Sequence, residues 1–569
     1  MPWPDKSLIR ALAGFKVPPR VTASTSKLSR GWREQKRCGS TASPSKVTGA
    51  AGQSSVWSTG RVLLLAAATG ATAYAFATLT TPTVESRDYS REGKFGTPKY
   101  ANVNDWEKAI QEIQAAVSEE TISTAEDDLL RHGFSEWSSV NADRLPVAIA
   151  YPKDTAQVSE IAKICHKYRV PVVPYSGGSS LEGNFSAPYG GISVDFAFMD
   201  QIVRLNEEDM DVVVQPAVGW MALNDEIASS GLFFPVDPGP IAKIGGMVGT
   251  NCSGTNAVRY GTMKDWVINL TVVLADGTVV KTKRRPRKSA AGYNLNSLFV
   301  GSEGTLGLVT EITLKLAVVP QEMSVAVVDF PTIRDAAAAA ASVMRASVPI
   351  ASLELMDEVQ MRVVNLSGAT KGMTWKEVPT LFLRFSGTTA GVRENVGQVK
   401  EIAKKHGGGD FKFAATEAEK QMLWSARKEA LWSMLALRKK GSEVWSTDVA
   451  VPMSRLADII EVSKKEMDEL GLFASILGHV GDGNFHESIM YDRTVPGELE
   501  KVEHCVHNMV DRALEMEGTC TGEHGVGLGK KASLLKEVGP DTLGVMKAIK
   551  QSLDPYWIMN PGKIMSVPT

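Results

Sequence analysis

The sequence predicts an α+β fold of at least two domains, and three observations carry that prediction. The chain has 569 residues, more than a single hydrophobic core holds. Short apolar runs bounded by glycine and proline alternate with stretches of helical spacing. Three stretches rich in glycine and small polar residues fall within about 140 residues of one another, with strand-like runs between them. Hydrophobic content of 43% and charge of 22% fit a globular chain, and a net charge of −2 gives no electrostatic case for nucleic acid. The five cysteines are scattered with no CxxC pair, which excludes a disulfide framework and a thiolate zinc site.

Residues 1–60 carry Lys6, Arg10, Lys16, Arg20, Lys27, Arg30, Arg33, Lys36, Arg37 and Lys46 against only Asp5 and Glu34, among many Ser and Thr. That composition predicts a mitochondrial transit segment; a disordered basic arm is the plainer alternative. Val62–Leu79 (VLLLAAATGATAYAFATL) has no charge, and at about 18 residues it just reaches spanning length. It is rich in Ala, Thr and Gly, so a buried core helix stands beside a transmembrane or sorting segment over 61–80. The basic stretch before it, and Glu85, Asp88 and Glu92 after it, favour a membrane stop. The charge bias then puts the basic end in the matrix and the body in the intermembrane space, on the mitochondrial inner membrane. Residues 81–140 read as a linker and helices, one of them over Trp106–Val117.

A first domain is expected over 141–321. Asp143–Tyr151 opens it, and an amphipathic helix over Asp154–Tyr168 follows, N-capped by Asp154 or Thr155. PVVPYSGGSSLEG, from Pro171 to Gly183, then reads as a buried strand running into a tight loop. Gly177 and Gly178 are expected to take positive φ. The N–H groups of Ser176 to Ser180 and the hydroxyls of Ser176, Ser179 and Ser180 are placed to converge on a phosphate or pyrophosphate. No Lys follows the glycines and the spacing is not GxGxxG, so neither a Walker loop nor a dinucleotide fingerprint is present. Alone, the loop reads equally well as a structural turn. The second stretch, GPIAKIGGMVGTNCSGTNAVRYG from Gly239 to Gly261, suits a backbone wrapped around a large flat ligand. The third, GSEGTLGLVT from Gly301 to Thr310, runs into a strand-like segment over Val309–Val319. Strands are expected between them at Gly191–Asp195, Val212–Pro216 and Leu270–Leu274, the last ending in a turn at Asp276-Gly277.

With three motifs in this order over roughly Asn141 to Gln321, the sequence resembles the FAD-binding (PCMH-type) domain of the vanillyl-alcohol oxidase and p-cresol methylhydroxylase superfamily. The resemblance implies FAD held by Pro174, Tyr175, Ser176, Gly177, Gly178, Ser179 and Ser180 in the first stretch. From Pro238 and the second stretch it draws in Gly246, Gly249, Thr250, Cys252, Ser253, Asn256, Ala257 and Tyr260, and from the third Glu303, Gly304, Gly307 and Val309. Some members attach FAD through a His or Cys; Pro174–Gly183 contains neither, so non-covalent FAD is expected.

Residues 322–569 are expected to form a second, α+β cap domain whose C-terminal segment returns to the flavin. Strands over Ser324–Phe330 and Thr380–Ser386 alternate with helices over Asp335–Val343, thinly padded by six alanines, and over Val392–Lys405. The chemistry lies nearer the end. In ILGHVGDGNFHESI, Asp482-Gly483 is a type I′ hairpin signal. A turn at those two residues opposes His479 and His486, with Cβ atoms about 5 Å apart. That spacing lets two imidazoles grip one divalent metal. Two surface histidines beside a turn is the bland reading, and it weakens against Glu523 and His524 between Gly522 and Gly525. His479, His486 and Glu523 make a His₂-carboxylate set suited to Zn²⁺ or Mn²⁺, leaving His524 as a general base. Gly525–Lys530 (GVGLGK) lacks Walker spacing.

With Asn560-Pro561-Gly562-Lys563 near the end, these motifs resemble the FAD-linked D-2-hydroxyacid dehydrogenases, over most of residues 140–565. The resemblance implies a metal on His479, His486 and Glu523, a base at His524, and Asn484 in the catalytic set. It also implies that Asn560 returns to the flavin and that Arg427, in a helix over Trp424–Leu437, clamps the substrate carboxylate. By sequence alone a helical Arg is a solvated face. Members handling dicarboxylic acids need a second cation. Ser442–Pro452 (SEVWSTDVAVP) has none, and Ser446 stands where those members carry a basic residue. Lys439 and Lys440 lie nearby, but the expected substrate is a small monocarboxylate such as D-lactate, oxidised by hydride transfer to FAD. Cytochrome c is the expected electron acceptor; with no CxxCH motif, its haem belongs to the partner. Two other readings compete: a dehydrogenase of another D-2-hydroxy acid, such as 2-hydroxyglutarate, feeding an electron-transfer flavoprotein, and a membrane-tethered inactive scaffold.

Overall fold

The computed structural model describes residues 96–368, 370 and 373–568. The transit and membrane segments expected over 1–80, and the start of the linker, lie outside those residues. Among the described residues no helix is long and apolar enough to cross a membrane.

A four-stranded sheet in the order Ile122–Ser123, Ala148–Ala150, Ile192–Asp195, Val172–Tyr175 opens the flavin-side half. Its last three strands are parallel. Parallel strands need both faces covered, and their unbroken small apolar runs meet that need. Helices Val103–Ala116 and Thr155–Tyr168 pack there, burying Ala109, Ile113, Val158 and Ile161 with Val172 and Ile192. The second helix starts at Asp154, whose side chain accepts from the Gln157 N–H at 2.9 Å.

A second, antiparallel sheet follows in the order Ile202–Asn206, Asp211–Val214, Leu308–Lys315, Val267–Val273, Val279–Lys281. Gly277, at φ 83°, makes the turn between Val267–Val273 and Val279–Lys281. Helices Trp220–Ile227 and Ile244–Thr250 close its core through Leu223, Ile244 and Met247.

The second half is built on an eight-stranded antiparallel sheet. Its main order is Lys412–Phe413, Glu322–Asp329, Thr380–Gly387, Ile350–Met356, Phe473–Gly478, Asn484–Asp492, Ser442–Ser446, with Val449–Ala450 also paired to Asn484–Asp492. Alternation along a strand divides two cores. Ala326 and Val328 face the alanine-rich helix Ile333–Arg345 and helix Leu456–Leu470, whereas Val325 and Val327 join Phe382, Leu423 and Trp424 on the other side. The C-terminal segment crosses back. Met559 bridges to Val172, and the Asn560 amide donates to the Glu303 carbonyl at 2.6 Å and the Asn184 carbonyl at 3.1 Å.

Two expectations need correction. The helix expected over Trp424–Leu437 is two helices, Glu417–Lys428 and Ala430–Ala436, broken at Glu429 (φ −90°, ψ 8°). The hairpin at Asp482-Gly483 is not a two-residue turn: His486 pairs with Leu477, and Val480–Asp482 forms a 3₁₀ turn closed by Gly483 at φ 74°. Val480 is wholly buried in the large core, which draws the loop inward and lengthens it.

Candidate active site

The two halves enclose a cavity of ≈ 600 Å³. One wall is the three glycine-rich stretches. Gly178 takes φ 60°, and a Cβ there would stand 2.2 Å from the Tyr175 hydroxyl. Gly177, expected to share that conformation, does not: it stays out of the left-handed region, and its missing Cβ would meet Lys243 at 3.2 Å. The N–H groups of Gly177, Gly178, Ser179 and Ser180 donate to no acceptor among the described residues. Orphan donors on a cavity wall are what an anion nest offers. Behind them, a Cβ on Gly246 or Gly249 would enter the cavity, its nearest neighbours 3.8 and 4.0 Å away at Ser176 and Glu303. These are the features of a cradle for FAD.

Pro174, Tyr175, Ser176, Pro238, Thr250, Cys252, Asn256, Glu303, Gly304, Gly307, Val309 and Asn560 line the same cavity. Burial, with Glu523 and Asp237 near, holds the Cys252 thiol well above its usual range, so it packs as a small neutral group. Three expected residues are not on the wall. The Ser253 hydroxyl donates to Glu523 Oε2 at 2.6 Å. Ala257 is buried in the short helix Ala257–Tyr260. The Tyr260 ring packs against Phe233 and Trp266. Gly178→Val forces a β-branched side chain into the left-handed region and onto Tyr175. It is expected to purify folded by circular dichroism but without flavin absorbance; full FAD content would show that this loop is not the nest.

The opposite wall carries the histidines. His479 Nε2 lies 3.2 Å and His486 Nε2 3.4 Å from Glu523 Oε1, the rings being perpendicular. The ligand atoms of the three residues all lie within 4.8 Å of one another. Each Nδ1 is tied behind: His479 to Glu354 Oε1 at 2.9 Å, His486 to the Thr447 carbonyl at 2.9 Å. A carbonyl only accepts, so His486 Nδ1 carries the hydrogen. Burial lowers the pKa of His486 and keeps the ring neutral, leaving an Nε2 lone pair facing a carboxylate oxygen. Burial also acts to lower His479, but Glu354 and Glu523 outweigh it and raise its pKa well above the usual value. The donor set therefore fits a divalent cation, with a proton on His479 standing in when none is bound.

Glu523 and His524 both reach the cavity because the chain is irregular there, with Gly525 at φ 81°. Asp448 holds the turn. Its Oδ2 accepts from the Glu523 N–H at 2.8 Å, the His524 N–H at 3.0 Å and the Thr521 hydroxyl at 2.7 Å. Although burial alone raises this carboxyl, His524, Lys530 and His486 hold it far below the usual range. Asn484, expected among the catalytic residues, does not line the cavity: its amide donates to Asp448 Oδ1 at 2.7 Å and to the Val449 carbonyl. It is a positioning residue beneath Gly522, where a Cβ would meet that amide at 2.3 Å. The His524 ring stacks on His486 at 5.0 Å, with Nδ1 3.8 Å from Glu182 Oε1. Arg427 is buried and lines the cavity, with Nε and Nη2 both on Glu354 Oε2 at 2.9 and 2.8 Å.

Glu354, Asp448 and Glu182 went unrecognised in the sequence. A signal existed for Glu354: in Ser352-Leu353-Glu354-Leu355 the leucines alternate into the core, leaving Glu354 on the other face. Asp448 has only the weak mark of being the lone acid in Ser446–Pro452.

Two family descriptions match this architecture: an FAD binding domain over residues 146–283 and the C-terminal domain of FAD linked oxidases over 319–564. The chain belongs to the FAD-linked oxidases, in the group of FAD-linked D-2-hydroxyacid dehydrogenases, and is an FAD-dependent oxidoreductase. Among individual proteins, it is 46% identical to the mitochondrial D-lactate dehydrogenase (cytochrome) of Arabidopsis thaliana, over 88% of this chain and 89% of that one. It is 47% identical to mitochondrial D-lactate dehydrogenase (cytochrome) 1 of Saccharomyces cerevisiae, over 80% of each. The solved structure of p-cresol methylhydroxylase shares the fold with a TM-score of 0.70 at 19% identity, covering 83% of this chain and 99% of its own.

Proposed function

We propose that the protein oxidises a D-2-hydroxy acid, D-lactate foremost, to the 2-oxo acid and passes the electrons to cytochrome c. The observation that carries this reading is one cavity joining the glycine cradle to a convergent His₂-carboxylate set with a further imidazole beside it. The cradle would hold FAD non-covalently, and FAD would supply the hydride acceptor for C2. A divalent ion on His479, His486 and Glu523, Zn²⁺ or Mn²⁺ by donor type, would acidify the C2 hydroxyl. The residues supply the rest. His524 takes the hydroxyl proton on Nε2, while Glu182 behind Nδ1 stabilises the imidazolium that forms. Arg427 turns Nε and Nη2 to Glu354 and keeps Nη1 for the substrate carboxylate. Trp137 and Trp432, edge to face on the cavity wall, limit the entry of water.

The names of the Arabidopsis and yeast relatives support both substrate and acceptor. The composition of residues 1–60 and 61–80 supports a mitochondrial enzyme on the inner membrane, its body facing the intermembrane space where cytochrome c is found. FAD-loaded full-length protein is expected to reduce cytochrome c with D-lactate and not with L-lactate. No turnover of any D-2-hydroxy acid with cytochrome c or a dye would overturn the oxidation; turnover with the dye alone would overturn only the acceptor.

A further inference from the structure

His132 sits on the helix Glu126–Gly133, upstream of both matched domains, and its ring is buried. Gly133 beside it leaves no room for a side chain: a Cβ there would stand 2.6 Å from Leu145 Cδ2, so this end of the helix is seated tightly. Both ring nitrogens face acceptors. Nδ1 lies 2.8 Å from the Asp128 carbonyl and Nε2 2.9 Å from Asp195 Oδ2. A carbonyl only accepts, so Nδ1 carries a hydrogen, and the Nε2 contact needs a second one between the two groups. His132 and Asp195 therefore share one proton, and the buried pair is neutral as a unit. Among the described residues His132 is the one ion-pair partner of Asp195, whose other oxygen accepts from the Ala197 N–H at 2.9 Å.

The pair backs the glycine cradle. Asp195 ends strand Ile192–Asp195 and is registered against Tyr175, the last residue of strand Val172–Tyr175. The Tyr175 ring is held between His132, at 4.2 Å between centroids, and Phe185, at 5.2 Å. Its hydroxyl occupies the place where a Gly178 side chain would go. Burial first, and then the Asp195 charge, raises the Tyr175 pKa, with Arg131 opposing. The field of Asp195 thus reaches the ring that supports the loop. A bare carboxylate there would repel a pyrophosphate in the nest, and in a buried setting little solvent screens the repulsion.

We propose that His132 is a positioning residue of the flavin site. The proton it shares with Asp195 cancels a carboxylate behind the pyrophosphate nest, while its ring wedges Tyr175 against Gly178. The helix that carries it lies before residue 146, so the FAD binding domain depends for its flavin affinity on the segment that precedes it. The assignment rests on the glycine cradle as the flavin site.

The test follows FAD release from full-length protein. FAD-loaded samples are diluted at pH 8, and the rise in flavin fluorescence gives Kd for wild type, His132→Phe, Asp195→Asn and the double variant, with circular dichroism to confirm the fold. His132→Phe keeps a ring against Tyr175 but strands the carboxylate, so Kd should rise about tenfold or more. Asp195→Asn keeps the shape and removes the charge; it should stay within about threefold of wild type, and added to His132→Phe it should recover most of the loss. A histidine with only a structural role gives the opposite pattern, two losses that add. An unchanged Kd in His132→Phe overturns the proposal, as does a double variant that binds FAD no better than His132→Phe. Where His132→Phe does not fold, His132→Gln takes its place, and the same recovery by Asp195→Asn is required. Gly178→Val in the same assay keeps the underlying reading separate: FAD retention at the wild-type level there would remove the cradle and the proposal with it.

Discussion

His524→Ala is expected to lower kcat by roughly 10²–10⁴-fold, the usual scale of a lost general base, while FAD and metal contents stay at wild-type levels. The separation follows from geometry. Glu523 Oε1 faces both Nε2 atoms, whereas the His524 ring lies stacked on the outer side of His486 with Nδ1 toward Glu182. Its imidazole is outside the convergent set, so removing it takes away a proton acceptor and leaves the ligands in place. The backbone amide of residue 524 still donates to Asp448, so the turn that positions Glu523 survives the substitution. Single-turnover flavin reduction by D-lactate, with metal analysis on the same sample, checks the result. If His524→Ala loses its metal while Glu523→Gln keeps it, the two neighbours have exchanged roles.

What the sequence made legible divides along a physical line. The glycine stretches were readable because a backbone that lines a cavity must be built of residues with little or no side chain, and that requirement is local. Gly246 and Gly249 meet it directly. The ligand types were readable because His479 and His486, two of the chain's eight histidines, are set among glycines, and so is Glu523. The register between the histidines was not, since it depends on Val480 entering a core formed by distant strands. Asn484 carried the right chemistry for catalysis, but tertiary contact aims its amide at Asp448. Asp448 and Glu354 gain their roles from neighbours far away in sequence, and the local marks they carry name no partner. Arg427 lies 73 residues from Glu354, and the Glu523 and His524 amides lie 75 and 76 residues from Asp448.

The purified protein is expected to carry one divalent ion per chain, and chelation is expected to abolish flavin reduction by D-lactate until Zn²⁺ or Mn²⁺ is returned. His486→Ala and Glu523→Gln should lose both metal and activity, because each removes one of three ligands around a single point. Glu354→Gln provides a finer test. Glu354 is not one of the three ligands; it orients His479 through Nδ1 at 2.9 Å, and such outer partners typically govern metal affinity by about 10–100-fold. The sign of the pH effect also follows. Glu354 and Glu523 overcome burial to raise the pKa of His479, so the apo site holds a proton there, and metal must displace it. Affinity should therefore fall as pH decreases, and calorimetry in buffers of different ionisation enthalpy should record proton release on binding. In Glu354→Gln, with one of the two carboxylates gone, that release should shrink along with the affinity. A wild-type protein without stoichiometric metal, whose rate a chelator leaves unchanged, would mean that the proton on His479 is the site's resident cation and that His524 works without a metal beside it.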